Sequence, residues 1–194
     1  MPGWPDVLLQ PVAEVAPALL GAHLTHGGVT VRLTEVEAYD GPDDPASHAY
    51  RGLTARNAVM FGPPGRLYVY FSYGMHWCAN VVCGPDGRAS AVLLRAGEVV
   101  DGLRVARERR GGRADVELAR GPANLTQALG IQRHQDGLDL SRRVTLAVSP
   151  VPPEHIASGP RVGVTLAHDV PWRFWVKGDP SVSAYKRSPR APQG

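Results

Sequence analysis

Polar and apolar positions alternate with period two over residues 29–39 (VTVRLTEVEAY). That period predicts a strand. One face of it would carry Val29, Val31, Leu33, Glu35, Glu37 and Tyr39. The face starts aliphatic and ends in two acids and an aromatic, just before Asp40-Gly41-Pro42. Gly27-Gly28 places a turn ahead of it, so the strand is entered from a hairpin. Residues 12–20 (VAEVAPALL) have helical spacing, with Pro17 placed to end or kink the helix.

Residues 40–65 are rich in proline and glycine and predict a long irregular loop, a length that ordinarily carries function or disorder. Aromatic and β-branched runs at 66–72 and 76–83 flank Tyr73-Gly74-Met75, a hairpin signal. Pro85-Asp86-Gly87 predicts a turn and residues 89–95 a further strand. Residues 97–110 read as a helix that becomes arginine-rich and stops at Gly111-Gly112. Pro122 and Gly130 bracket a short helix over residues 122–129. RVGVTLA (161–167) and WRFWVKG (172–178) read as two more strands, and SPRAPQG (188–194) as a frayed tail. The expected architecture is one β-rich α/β domain over residues 1–187 and a flexible tail over 188–194.

Composition narrows this picture only modestly. The chain has 194 residues, 43% of them hydrophobic, enough for one domain with a real core. It contains no apolar run of about 18 residues, and its first residues lack the basic region of a secretory signal. A cytoplasmic protein without a membrane partner is expected. The two cysteines, Cys78 and Cys83, are too few to staple a domain of this size. A net charge of +3 permits a polyanionic partner without identifying one. Of 21 cationic residues only Lys177 and Lys186 are lysines. Schiff-base chemistry is therefore limited to those two or the N-terminal amine.

An acid late in a strand is ordinarily a solvated end or half of a salt bridge. Here two acids continue an aliphatic face, so at least one is expected to be buried, and a buried carboxylate needs a partner. Arg95, at the end of AVLLR, is the natural candidate. Tyr68 and Tyr70 share a strand face, where core packing is the default reading. Tyr73 and Met75 stand at the hairpin tip, where large side chains are costly unless something receives them. Such a tip resembles a wedge for a nucleic-acid groove. His76 and Cys78 share a face, but no second pair has metal-ligand spacing, so no metal is expected. The cluster Arg104, Arg107, Arg109, Arg110 and Arg113 suits a solvated helix end or a phosphate-facing surface.

In this order, TEVEAY, SHA, TARN, MFGPPGRLYVYFSYGMHWCANVV, AVLLRA, RGPANLTQALGI, PRVGV and WRFWVKGDPSVS resemble the methylpurine (alkyladenine, 3-methyladenine) DNA glycosylases of the mammalian type. The resemblance covers residues 5 to 185. It implies an α+β domain: a curved, mostly antiparallel sheet, surrounding short helices and a protruding β-hairpin that enters the DNA minor groove. It implies hydrolytic removal of alkylated or deaminated purines from double-stranded DNA, by a monomer without metal or cofactor. By resemblance, Glu37 is the general base and Arg95 helps position the attacking water, with the Val162 carbonyl nearby. Tyr39, His48 and Tyr70 are pocket walls, and Asn80 a pocket floor that disfavours a guanine amino group. Tyr73 intercalates with Met75 beside it, while Arg56 and Asn124 lie towards the DNA backbone. Arg95 beside Glu37 is expected to favour its ionised form.

Two departures stand out. Gly121-Pro122-Ala123-Asn124-Leu125 has asparagine where the family commonly has lysine, and His76-Trp77 replace a tyrosine or phenylalanine near the tip. A non-catalytic binder of damaged DNA on the same fold is the alternative reading. A nucleoside or formyl-group hydrolase is a weaker one, since it would not need an exposed Tyr73.

Overall fold

The computed structural model describes residues 4–72, 74–140, 145–147 and 151–192. In chain order the elements are α1 (Trp4–Val7), α2 (Val12–Ala18), β1 (His23–His26), β2 (Val29–Tyr39), β3 (Leu67–Ser72), β4 (His76–Val82), β5 (Ala91–Asp101), α3 (Leu103–Arg110), β6 (Ala119–Arg120), α4 (Pro122–Leu129), β7 (Thr145–Ala147), β8 (Ile156–Gly159) and β9 (Arg173–Val176). The result is an α+β domain built on one open sheet. Its main path runs β3-β4-β5-β2-β1-β7, with β6 added to β5 and β9, carrying β8, added to β2. Every pairing among the described strands is antiparallel. Among the described residues no helix is long and apolar enough to cross a membrane.

The two eleven-residue strands β2 and β5 form the spine, and their ladder is interrupted twice within three residues. Leu33 faces Gly97, Glu35 faces Ala96 and Val36 faces Leu94. Thr34 is thus an extra residue on β2 and Arg95 an extra residue on β5. Bulges of this kind re-aim side chains. The core shows the effect: Val29, Val31 and Leu33 enter it at odd positions, then Val36 and Ala38 at even ones. The expectation that Glu35 and Glu37 share a face with Val29 to Leu33 is therefore corrected. Thr34 flips the alternation, sending both acids to the opposite face. Close passage here needs a residue without a side chain, because a Cβ on Gly97 would lie 2.3 Å from Val31 Cγ1 and 2.4 Å from the Arg32 carbonyl oxygen.

One sheet face, with Leu67, Val69, Ala79, Val81, Val92 and Leu94, packs on α2 and α4 residues such as Val15, Leu125 and Leu129 to make the main core. The other face collects the polar and aromatic positions. Cross-strand partners read Tyr68–Asn80 (β3 to β4), Asn80–Leu93 (β4 to β5) and Leu93–Glu37 (β5 to β2). These four side chains form one row across the sheet, since directly opposed residues point the same way.

Several expectations of local structure held. Helix α4 spans Pro122–Leu129, capped by Gly130 in the left-handed region. Strands β3 and β4 form the hairpin. Others did not. Residues 97–110 are divided: β5 continues to Asp101, and only Leu103–Arg110 is helical. Residues 161–167 form turns and bends rather than a strand. The unexpected strand β8 pairs with β9 instead. Within 188–192, Ser188 and Ala191 are buried, and the Ser188 hydroxyl lies 3.2 Å from that of Thr165.

Candidate active site

The second sheet face opens into a cavity of about 850 Å³. Glu37, Tyr39, His48, Arg56, Tyr70, Asn80, Arg95 and Val162 all line it, so eight of the eleven residues singled out from the sequence meet at one place. Each comes from a different local device. Alternation along β2 brings Glu37 and Tyr39, the bulge brings Arg95, and the loop after β2 returns His48 to the cavity mouth.

Glu37 is fully buried. Its Oε1 accepts the Val162 backbone N–H at 2.7 Å and lies 3.4 Å from Arg95 Nη1. Its Oε2 accepts the Tyr39 hydroxyl at 2.8 Å. Oε2 therefore retains a lone pair for one further donor. Burial pushes the Glu37 carboxyl above the usual carboxylate range, although Arg95, the Val162 amide and the Tyr39 hydroxyl each pull it down. Arg95 favours the ionised form as expected, but burial outweighs it; its closest contact is with Glu35, at 2.7 Å. Glu35 is held below the usual range: burial raises it, but Arg95, Arg173 and Ser183 together outweigh burial. Val162 approaches Glu37 through its amide hydrogen, an arrangement not anticipated from its expected carbonyl role.

The aromatic wall is built on β3. Tyr68 and Tyr70 stack with centroids 5.5 Å apart, and the His48 ring meets Tyr70 edge-on at 4.5 Å. His48 Nδ1 lies 3.1 Å from the Tyr68 hydroxyl. One edge of His48 stays exposed, while partial burial and the charge of Arg56 lower its pKa, which favours neutral imidazole. Arg56 sits 5.6 Å over the Tyr70 ring and donates to the Phe71 carbonyl, at the cavity rim. Asn80 is buried and donates to the Tyr68 carbonyl at 3.1 Å.

Other residues lie elsewhere. Tyr73 falls outside the described residues. Beside it Gly74 lines the cavity and Met75 is 65% exposed, so the hairpin tip stands at the cavity rim. Asn124 does not line the cavity; its amide donates to the Arg120 carbonyl at 2.6 Å. Most of the arginine cluster is engaged within the protein: Arg104 with Glu108, Arg107 with Asp115, Arg109 with the Gly27 and Ala128 carbonyls, and Arg110 with the Leu118 carbonyl.

Sequence reasoning missed the clamp behind Tyr39. Arg161 is buried, pairs bidentately with buried Asp44 at 2.5 and 2.9 Å, and lies 4.7 Å over the Tyr39 ring. It precedes Val162, so the clamp ties the loop that touches Glu37 to the loop that carries His48. Nothing local in PRVGV announces it. Tyr68, the support of His48, was legible as the other tyrosine on its strand face.

Residues 6–180 match the family model described as methylpurine-DNA glycosylase (MPG). The chain belongs to this family. Curated relatives named "Putative 3-methyladenine DNA glycosylase" include one from Streptomyces avermitilis, 55% identical over 93% of this chain and 90% of its own length. Another, from Nocardia farcinica, is 59% identical over 91% and 88%, and one from Frankia casuarinae is 52% identical over 97% and 94%. A methylpurine-DNA glycosylase acts on N-glycosyl bonds in DNA, and the cavity beside the hairpin is lined by Glu37, Arg95, Tyr39, Tyr70 and His48.

Proposed function

We propose that this chain removes alkylated purines from duplex DNA by hydrolysis, leaving an abasic site. The observation that carries the reading is Glu37: a buried, cavity-lining carboxylate with one oxygen held in place, the other able to accept a donor, and an aromatic wall opposite. A base within a duplex cannot reach such a cavity, so it must leave the stack, at a cost of a few kcal/mol. The hairpin tip, with Tyr73 and Met75, fills the gap, and Arg56 and Asn124 face the DNA backbone.

A 3-methyladenine or 7-methylguanine ring carries positive charge. Against Tyr39, Tyr70 and neutral His48 it gains a cation–π attraction of about 1–2 kcal/mol when desolvated. Protonated His48 would repel it. Cleavage breaks the bond between N9 and C1′, the electron pair leaves with the purine, and the sugar develops oxocarbenium character. The attacking water bonds to C1′ and gives its proton to Glu37. A carboxyl raised above its ordinary range is a stronger base than a free one. Its negative charge also stabilises the cationic sugar, and Arg95 holds the carboxylate in place. A cationic purine departs neutral, so this route needs no acid on the base.

The test is a base-release assay on duplexes carrying 3-methyladenine, 7-methylguanine, hypoxanthine or ethenoadenine, with Glu37→Gln as control. The expected result is release from the alkylated duplexes by the wild type, and DNA binding without release by the variant. Wild-type rates from Glu37→Gln would refute the base assignment. Binding by the wild type with no release from any duplex would favour a damaged-DNA binding module.

A further inference from the structure

Two glutamates stand two residues apart on β2, both fully buried, and only one has a place in the hydrolysis above. The unused one, Glu35, is the more heavily bonded. Its Oε1 accepts Arg95 Nε at 2.7 Å, Arg173 Nε at 2.7 Å and the Ser183 hydroxyl at 3.0 Å. Its Oε2 accepts the Ser183 backbone N–H at 2.7 Å. The Ser183 hydroxyl in turn accepts Arg95 Nη2 at 3.2 Å. One edge of the Arg95 guanidinium, Nε and Nη2, is thereby spent on Glu35 and Ser183. Only Nη1 is directed at Glu37, at a longer 3.4 Å.

An arginine and a carboxylate ordinarily pair through two parallel hydrogen bonds. A bidentate Arg95 on Glu37 would occupy the lone pairs a water needs and hold the anion in its least basic form. We infer that Glu35 is a positioning residue of this site: by holding one edge of Arg95, it stops Arg95 from closing on Glu37 and leaves Glu37 able to receive the water. The inference rests on the reading of Glu37 as the base. It also gives the bulge a purpose, since Arg95 is the extra residue of β5 and stands opposite Glu35 together with Ala96.

The surroundings of the two acids agree. Neighbouring carboxyls whose environments push them in opposite directions ordinarily have different tasks. Glu35 is lowered and Glu37 raised. The charged and titratable groups facing Glu37 are Arg95 from β5, Arg161 from the loop after β8, Tyr39 and Glu35 from its own strand, Tyr70 from β3 and Cys78 from β4. Of these, Glu35 both repels the Glu37 anion and draws Arg95 away from it. Removing its charge acts on Glu37 in one direction only, downward.

The test is single-turnover release of 7-methylguanine on the acid side of neutrality, where this lesion keeps its positive charge. Wild type, Glu35→Gln, Ser183→Ala and Glu37→Gln are compared, each with a titration of lesion-bearing duplex. In Glu35→Gln the acid limb should move to lower pH as Arg95 closes on Glu37. The plateau rate should fall roughly tenfold, a fraction of what general-base catalysis supplies, with duplex affinity changed no more than about threefold. Ser183→Ala, which frees Nη2 alone, should move the limb the same way by less. A folded Glu35→Gln with an unmoved limb would overturn the inference, as would a full plateau rate. If Glu35→Gln does not fold, Ser183→Ala decides: a displaced limb supports the inference and an unmoved one overturns it. Release by Glu37→Gln at wild-type rates would overturn the base assignment and this inference with it. An inactive Glu37→Gln beside an unmoved limb overturns the inference alone.

Discussion

Asp44→Asn should cost this protein a large share of its stability. Arg161 and Asp44 are almost completely buried and share two hydrogen bonds. Asparagine has nearly the shape of aspartate but lacks its charge. The Arg161 guanidinium would then keep the Ala38 carbonyl at 2.9 Å, the Ala167 carbonyl at 3.4 Å and one amide oxygen, with no anion beside it. Its Nε already lacks a hydrogen-bond partner among the described residues. Removing one partner of a buried pair costs about 3–5 kcal/mol, and the retained amide oxygen places this case near 3. With a urea slope of about 2 kcal/mol per molar, the unfolding midpoint should drop by about 1.5 M at unchanged slope. Because the clamp also holds Tyr39 and Val162, base release should fall in the folded fraction. The double variant Asp44→Leu/Arg161→Met, which buries no charge, should recover part of the loss. A midpoint shift below about 0.5 M for Asp44→Asn would refute the reasoning.

Three further outcomes follow from other contacts. Tyr39→Phe removes a donor that holds Glu37 down, so Glu37 should rise further. Glu37 works as the anion, above its pKa, so release should fail at a higher pH than in wild type as the solution is acidified; a pH profile on 7-methylguanine duplex checks this, and a limb moving down contradicts it. Tyr68→Phe takes the partner from His48 Nδ1 and should weaken lesion binding about fivefold, the worth of one hydrogen bond of about 1 kcal/mol; fluorescence titration measures it. Gly97→Ala places a methyl against Val31 and the Arg32 carbonyl and should destabilise the fold by about 3 kcal/mol, the upper range for overpacking, seen as a lowered melting temperature.

Much of the site was legible because strand periodicity and short motifs are local. EVEAY, the two tyrosines of LYVY and the proline-to-glycine frame of α4 each declare themselves within ten residues. What failed was whatever depends on a partner strand. Residues 97–101 extend β5 although glycine and glutamate break the apolar run, because β2 supplies their ladder. RVGVTLA has the composition of a strand, yet its backbone serves other ends: Val162 N–H binds Glu37, and Gly163 N–H binds the Lys186 carbonyl. IASG looks too small and polar for a strand but completes β9. Period-two counting also assumes one residue per step, and Thr34 breaks that assumption in the middle of the most informative segment. The residues that meet at the cavity were found, but on the wrong face of β2.

The bulges at Thr34 and Arg95 cancel: one extra residue on β2, one on β5, and from Val36 the ladder resumes the register it has from Val31 to Leu33. This places a restriction on the gene as well as on the protein. Thr34 drawn into regular alternation would turn the C-terminal half of β2 inside out, exchanging core aliphatics for cavity acids, whereas loss of its codon alone would keep the acids at the cavity but leave the Arg95 bulge unmatched. Loss of both codons would restore the ladder and delete the arginine. Thr34 and Arg95 are thus a matched pair: the loss of either one alone puts the two halves of the spine out of step by one residue.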